Sequence, residues 1–224
     1  DNPGKVAEYI YSCRQMGIKI LPPDINHGYS SFSVDNGSIR YGLAAIKSIG
    51  RPVIKEIVAE RKANGEFKNL KDFIERMSGK DINKRTIENF IKSGAFDELG
   101  GTRKQFMVIY VQILDQVNRE KKNSMTGQMS LFDIVGEEQK SEFDIPLPNV
   151  GEYEKSTKLA FEKEVLGIYL SGHPMEEYEE QWRKGISKTT QDFQFDEELG
   201  FSRVSDGAAE IIGGIIASKT IKYT

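Results

Sequence analysis

Apolar residues recur every three to four positions along several stretches of the chain, and glycines separate these stretches. Val6, Tyr9, Ile10 and Cys13 form a stripe that predicts a helix over residues 3–16, with Pro3 in its first turn and Gly17 at its end. Cys13 is expected there as a small buried hydrophobe. The period then drops to two. Phe32 and Val34 alternate with polar residues, Asn36-Gly37 is a strong hairpin turn, and Ile39 and Tyr41 resume the alternation. A small two-stranded β hairpin is expected, delivering the chain to a helical region.

Two helix–turn–helix units follow. In the first, an apolar turn over residues 42–47 meets a bend at Ser48-Ile49-Gly50. Pro52 then suits the first turn of a helix that buries Val53, Ile54, Ile57 and Val58 and stops at Gly65. Phe67, Leu70, Phe73, Ile74 and Met77 mark a connecting amphipathic helix. In the second unit, a helix over residues 82–93 turns inward Ile87, Phe90 and Ile91. A bend follows at Gly94-Ala95-Phe96-Asp97, then Thr102 as N-cap of a long helix over residues 103–122. This is the spacing of a tandem helix–hairpin–helix. In such a unit the bend aims backbone amides and a helix N-terminus outward, where they can hold a phosphate without reading a base. The candidate DNA-binding residues are Lys47, Ser48, Ile49, Gly50, Arg51 and Lys55 in the first unit. In the second they are Lys84, Arg85, Gly94, Thr102, Arg103 and Lys104. The second bend departs from the simplest hairpin pattern.

Beyond Asn123 the helical period fades. Residues 124–147 read as an acidic linker, yet they contain Gln128, Met129, Ser130, Leu131 and Phe132. Adjacent Leu and Phe on a polar tether are the anchors of a docking peptide, with Gln128 fixing register; equally, they could fold back on the chain's own core. A further helix is expected over residues 153–167 with Leu159, Val165 and Leu166 inward, then a turn holding His173, and a short helix over residues 175–182. Ile211, Ile212, Ile215, Ile216 and Ile221 predict the opening strand of a β-domain. The fold class is thus mainly α. A small hairpin (residues 1–39) precedes the tandem unit (40–123). After the linker (124–147) come a helical, acidic connector (148–206) and a truncated β-domain start (207–224).

Charge sharpens this picture. The 224 residues carry a formal net charge of −3, but residues 40–123 hold 18 Lys/Arg against 11 Asp/Glu, and residues 124–206 hold 8 against 18. A polyanion suits the first block and not the second. One cysteine and two histidines give no zinc set and no disulfide, and no catalytic constellation surrounds His27 or His173. No catalytic or metal-binding residue is assigned, and no cofactor is expected for this stretch. No apolar run reaches membrane-spanning length, so no membrane partner is expected. The chain reads as a piece of a larger protein.

The runs LPPDIN, SFSV, IRYGLAAIKSIG, GEFKNLKDFIERM, NKRTIENFIKSGAFD, GQMSLFD, FEKEVLGIYLSGHPMEEY and IIGGII occur in that order. Together they resemble the alpha subunits of bacterial DNA polymerase III, the C-family replicative polymerases. The resemblance spans essentially the whole chain. It implies the end of a fingers domain over residues 1–39 and a helix–hairpin–helix region on the backbone of duplex primer–template. It implies a sliding-clamp-binding motif at residues 128–132 and the first strand of an OB-fold at the end. It also implies a cytoplasmic location at the replisome, with other replisome subunits nearby, and Mg²⁺ in a palm domain that this stretch lacks. The full protein would be a DNA-directed DNA polymerase, and this stretch alone would be inactive. Ser48 stands where many such hairpins carry glycine. Two other readings stand beside this one. A non-enzymatic adaptor would use the helix pairs for protein contacts and show no salt-dependent DNA affinity. A DNA glycosylase would need a catalytic Lys or Asp in a base pocket, and the sequence offers nothing resembling one.

Overall fold

The computed structural model describes residues 3–125, 145–196, 200–216 and 219–222. It divides into two compact units, residues 1–171 and 172–224. Among the described residues the architecture is mainly helical, with two small sheets.

The first unit opens with α1 (Pro3–Gln15). Ile10 is buried on it, whereas Tyr9, expected inward, is 66% exposed. The helix leans on strand β1 (Ile20–Leu21), so its covered stripe is narrower than its apolar one. Cys13 is only partly buried. β2 (Ser33–Asp35) and β3 (Ser38–Arg40) form the expected antiparallel hairpin, turning through Asn36 and Gly37 at φ 47° and 76°. The hairpin is not alone: β1 pairs parallel to β3, giving the order β1-β3-β2. A buried Asp24 shapes the loop between β1 and β2, its carboxylate accepting from the backbone N–H groups of Asn26 (2.8 Å) and His27 (2.6 Å).

Four helices carry the core. α2 (Arg51–Asn64) ends at Gly65, where φ is 80°. α3 (Leu70–Met77) and α4 (Lys84–Ser93) begin at Asn69 and Asn83, whose side chains accept from Asp72 N–H and Thr86 N–H. α5 runs from Arg103 to Met125. Between them lies a chain of edge-to-face and tilted rings. Phe73 meets Phe67 at 5.0 Å and Phe96 at 4.9 Å, and Phe96 reaches Phe90 at 5.5 Å and Phe106 at 6.5 Å. All five are essentially fully buried. The connecting helix α3 is therefore tied to the second helix pair through one aromatic seam. Arg76 locks α3 to the end of α2, donating to the carbonyls of Gly65 (2.8 Å) and Glu60 (3.3 Å) and to the Glu60 carboxylate (3.2 Å).

α6 (Lys155–Leu166) was expected in an acidic connector. Leu159, Val165 and Leu166 are buried as expected; the helix packs on α4, and Val165 and Leu166 join the same core together with Ile168 and Leu170. Its acidic residues mislead because one of them, Glu162, points inward and is 1% exposed. The linker segment carrying Gln128, Met129, Ser130, Leu131 and Phe132 lies outside the described residues.

The second unit contains a 3-10 turn (Glu176–Tyr178) followed by α7 (Glu179–Gly185) and a two-stranded antiparallel sheet, β4 (Phe195–Asp196) with β5 (Phe201–Ser202). The strand expected over residues 211–221 does not form a ladder among the described residues. Ile211 is tied instead to Ser187, whose N–H donates to its carbonyl at 2.9 Å, and Ile212, Ile215 and Ile216 stay exposed. A strand formed from those isoleucines would need a neighbour to pair with. His173 sits in an exposed turn, its Nδ1 accepting from Met175 N–H, as expected of a turn residue. No helix among the described residues is long and apolar enough to cross a membrane.

Candidate nucleic-acid interface

The two bends of the tandem unit differ in what their backbone amides do. In the first, a 3-10 turn (Leu43–Ala45) takes the place of the expected short helix. Leu43, Ile46 and Ile49 anchor the loop from below, each at most 8% exposed. The Lys47 backbone is held at both its polar groups: its N–H donates to Val165 O at 2.8 Å, and its carbonyl accepts from Asn89 Nδ2 at 2.7 Å. Ser48 then takes the left-handed conformation at φ 63°. A non-glycine residue there carries a cost of about 1–2 kcal/mol, so the bend reaches its shape without the usual glycine.

The chain next enters α2 through Gly50, an extended N-cap with no side-chain acceptor on the helix amides. Ile54 N–H closes the first helical bond to Gly50 O at 3.3 Å. The N–H groups of Gly50, Arg51 and Val53 therefore lack an intrahelical acceptor, and Pro52 has no N–H. Lys47, Ser48, Gly50, Arg51 and Lys55 are all exposed. An uncapped helix start ringed by three cations is an anion seat in both dipole and charge. Ile49 is the exception among the expected residues. Its side chain is buried and its N–H donates to Ile46 O at 3.2 Å, so it packs the loop rather than facing outward.

The second bend is closed. Gly94 is the left-handed C-cap of α4, buried, its N–H donating back to Ile91 O. A Cβ on it would come within 2.3 Å of the Arg103 guanidinium. Arg103, expected to face phosphate, is 4% exposed. It donates to Asp97 Oδ2 at 2.8 Å, Glu162 Oε1 at 3.4 Å and Lys92 O at 3.2 Å. Burial by itself would lower the Arg103 pKa, but the hydrogen bond and charge of Asp97, with those of Glu162, raise it. Gly94 and Arg103 are thus structural residues, not surface contacts. The sequence misleads because a helix-start arginine looks solvated until its acidic partner 59 residues later is known.

The start of α5 is also occupied. Thr102 and Gln105 exchange bonds, Thr102 N–H to Gln105 Oε1 (2.9 Å) and Gln105 N–H to Thr102 Oγ1 (3.1 Å), a reciprocal capping box. The carboxylate of Glu152 accepts from Arg103 N–H at 3.4 Å and Lys104 N–H at 3.2 Å. It sits where a phosphate would, so the chain supplies its own anion. Thr102 Oγ1 donates to Gly151 O and Gln105 Nε2 to Pro148 O, fastening residues 148–152 over this helix end. Lys104 is half-buried above the Tyr153 ring. Lys84 and Arg85 are exposed at the opposite end of α4, with Lys84 3.4 Å from Asp115. Of the second unit's expected residues, only this pair faces solvent as expected.

The parts played by Asn89, the Val165 carbonyl, Glu152 and Glu162 at these bends were not anticipated. Asn89 carried a readable signal: it is a poor helix former lying between buried Ile87 and Phe90. The other three depend on contacts across at least 48 residues or on a backbone carbonyl, which no local pattern reports.

Among the described residues no group of three His, Cys, Asp or Glu side chains could hold a metal ion. The family model of the helix–hairpin–helix motif matches residues 17–106. DNA polymerase III subunit alpha of Borreliella burgdorferi is 38% identical over 178 residues, 80% of this chain and 16% of the relative. The same subunit of Mycobacterium leprae is 37% identical over 175 residues (78% and 15%), and that of Campylobacter jejuni 39% over 187 residues (81% and 15%). The chain spans about a sixth of the length of these relatives. Ordered motifs, the matched helix–hairpin–helix and this identity agree on one finding: the chain matches one stretch of the DNA polymerase III alpha subunits.

Proposed function

We propose that this chain is the part of a replicative DNA polymerase that holds duplex DNA by its phosphates and docks on a sliding clamp, so supporting template-directed synthesis by the whole protein. The observation that carries the DNA half is the uncapped start of α2 beside exposed Lys47, Arg51 and Lys55. Backbone amides and flexible cations contact phosphate oxygens, not base edges, so binding is independent of sequence. The first hairpin does this work, and Glu152 keeps the second from it. Lys84 and Arg85 add charge at the edge of the footprint.

The clamp half rests on the composition of Gln128, Met129, Ser130, Leu131 and Phe132 and on the relatedness to alpha subunits. Leu131 and Phe132 fill a pocket on the clamp and Gln128 fixes register. The chemistry of nucleotide addition, with its Mg²⁺, belongs to parts of the polymerase outside this stretch, and no donor set described here fits that metal.

The test is fluorescence anisotropy of labelled duplexes of unrelated sequence across a salt series. Three neutralised phosphates give a slope of log Kobs on log salt of about −2.7, or roughly a 40-fold loss between 50 and 200 mM salt. Affinity that ignores salt, or that is absent at low salt, would instead favour an adaptor making protein contacts. Clamp binding that survives Leu131→Ala/Phe132→Ala would remove the docking role.

A further inference from the structure

We infer that Asn89 is a positioning residue for the phosphate-holding loop: with the Val165 carbonyl, it fixes the backbone on both sides of the Lys47 Cα and so sets where the amides of Gly50 and Arg51 point. The inference rests on the DNA-binding reading of the first hairpin and adds to it a part that lies outside that hairpin.

The geometry is specific. Asn89 lies on α4, in the other helix pair, and is 7% exposed. Its Nδ2 reaches 42 residues back to the Lys47 carbonyl at 2.7 Å. Val165 lies in the last turn of α6, where a carbonyl has no intrahelical donor, and it receives the Lys47 N–H at 2.8 Å. The two consecutive peptide planes that meet at the Lys47 Cα are thereby each held by a different helix, the 46–47 plane by Val165 and the 47–48 plane by Asn89. The next residue, Ser48, is in the left-handed region at φ 63°, a conformation a serine leaves readily unless its neighbours hold it. If the 47–48 peptide lost Asn89 and rotated, Ser48 would relax toward extended backbone and the amides of Gly50 and Arg51 would turn with it. Lys47 itself would still carry its charge to the surface.

This division gives the test. Asn89→Leu keeps the volume and removes the donor. It removes no cation that faces DNA, so the salt slope stays at the wild-type value while duplex affinity at fixed salt falls about 3- to 10-fold, the worth of one hydrogen bond. Lys47→Ala does the opposite, reducing the slope by about 0.9. Val117→Ala, buried on α5 away from the loop, serves as a control for lost stability. Asn89→Leu binding duplex as tightly as Val117→Ala at matched thermal stability would overturn the inference and leave the DNA reading standing. A wild-type chain with no duplex affinity would sink both. The Val165 half of the hold can also be checked without a variant: hydrogen exchange of the wild-type Lys47 amide should be far slower than that of Ser48, and equal rates would refute that half.

Discussion

Glu162→Ala is the perturbation whose size the fold fixes best. The carboxylate is 1% exposed and has three partners: Arg103 Nη1 at 3.4 Å, and the N–H groups of Leu170 and Ser171, both at 2.9 Å. Truncation strands two backbone donors, each costing about 1 kcal/mol or more. It also takes one anion from a buried arginine. Breaking a buried pair outright costs about 3–5 kcal/mol, but Arg103 retains Asp97 at 2.8 Å and the Lys92 carbonyl. A total of about 3 kcal/mol follows, a fall in Tm of about 6–12 °C for a unit of this size. Glu162→Gln keeps an acceptor for the turn at residues 170–171 and should lose about half as much. Glu164→Ala supplies the comparison: its carboxylate is 53% exposed and pairs with Lys92 at 2.9 Å, worth about 1 kcal/mol at most. Urea unfolding followed by circular dichroism reads all three. Glu162→Ala costing no more than Glu164→Ala would refute a buried ion cluster as the tie between α6 and the second helix pair.

Three further outcomes follow from the same contacts. Ser48→Gly relieves the left-handed serine and should stabilise the chain by about 0.5–1 kcal/mol in thermal melts, glycine's greater freedom when unfolded offsetting part of the gain. Gly101→Ala should destabilise by about 1–3 kcal/mol, because the new methyl would lie 2.5 Å from the buried Phe106 ring. Hydrogen bonds from Lys80 foremost, then Asn64 and Arg76, hold the Glu60 carboxyl down to about 2 from 4.5. A lowered carboxylate pKa gives stability that is present above the ordinary range and is lost as pH falls from about 4.5 toward 2. Glu60→Gln should flatten the acid limb of the stability curve in that window, measured by urea midpoints from pH 7 to pH 2.

Local pattern was enough for much of the fold. The 3.6-residue stripes of Ile54 and Ile57, of Phe73, Ile74 and Met77, and of Ile87, Phe90 and Ile91 mark helices whose buried faces match them. Asn36-Gly37 and Gly94 turn where their backbone freedom is needed. Long-range pairing was not legible. β1 is two residues long, and only its parallel partner makes it a strand. The inward Leu159, Val165 and Leu166 of α6 were legible, but composition cannot tell an inward Glu162 from an outward Glu164. For the candidate site, the sequence located the first hairpin and its cations, which are local features. It credited the second hairpin with the same role because charge near a helix start looks alike whether the amides are open or already filled. Glu152, 49 residues beyond Arg103, is what separates the two cases.

The most direct test of that separation is an amide NMR titration of the chain with a short duplex at low salt. The account predicts that the resonances of Ser48, Gly50, Arg51 and Val53 shift saturably, while those of Thr102, Arg103, Lys104 and Gln105 stay in place. Shifts of equal size at both helix starts, or at the start of α5 alone, would contradict it.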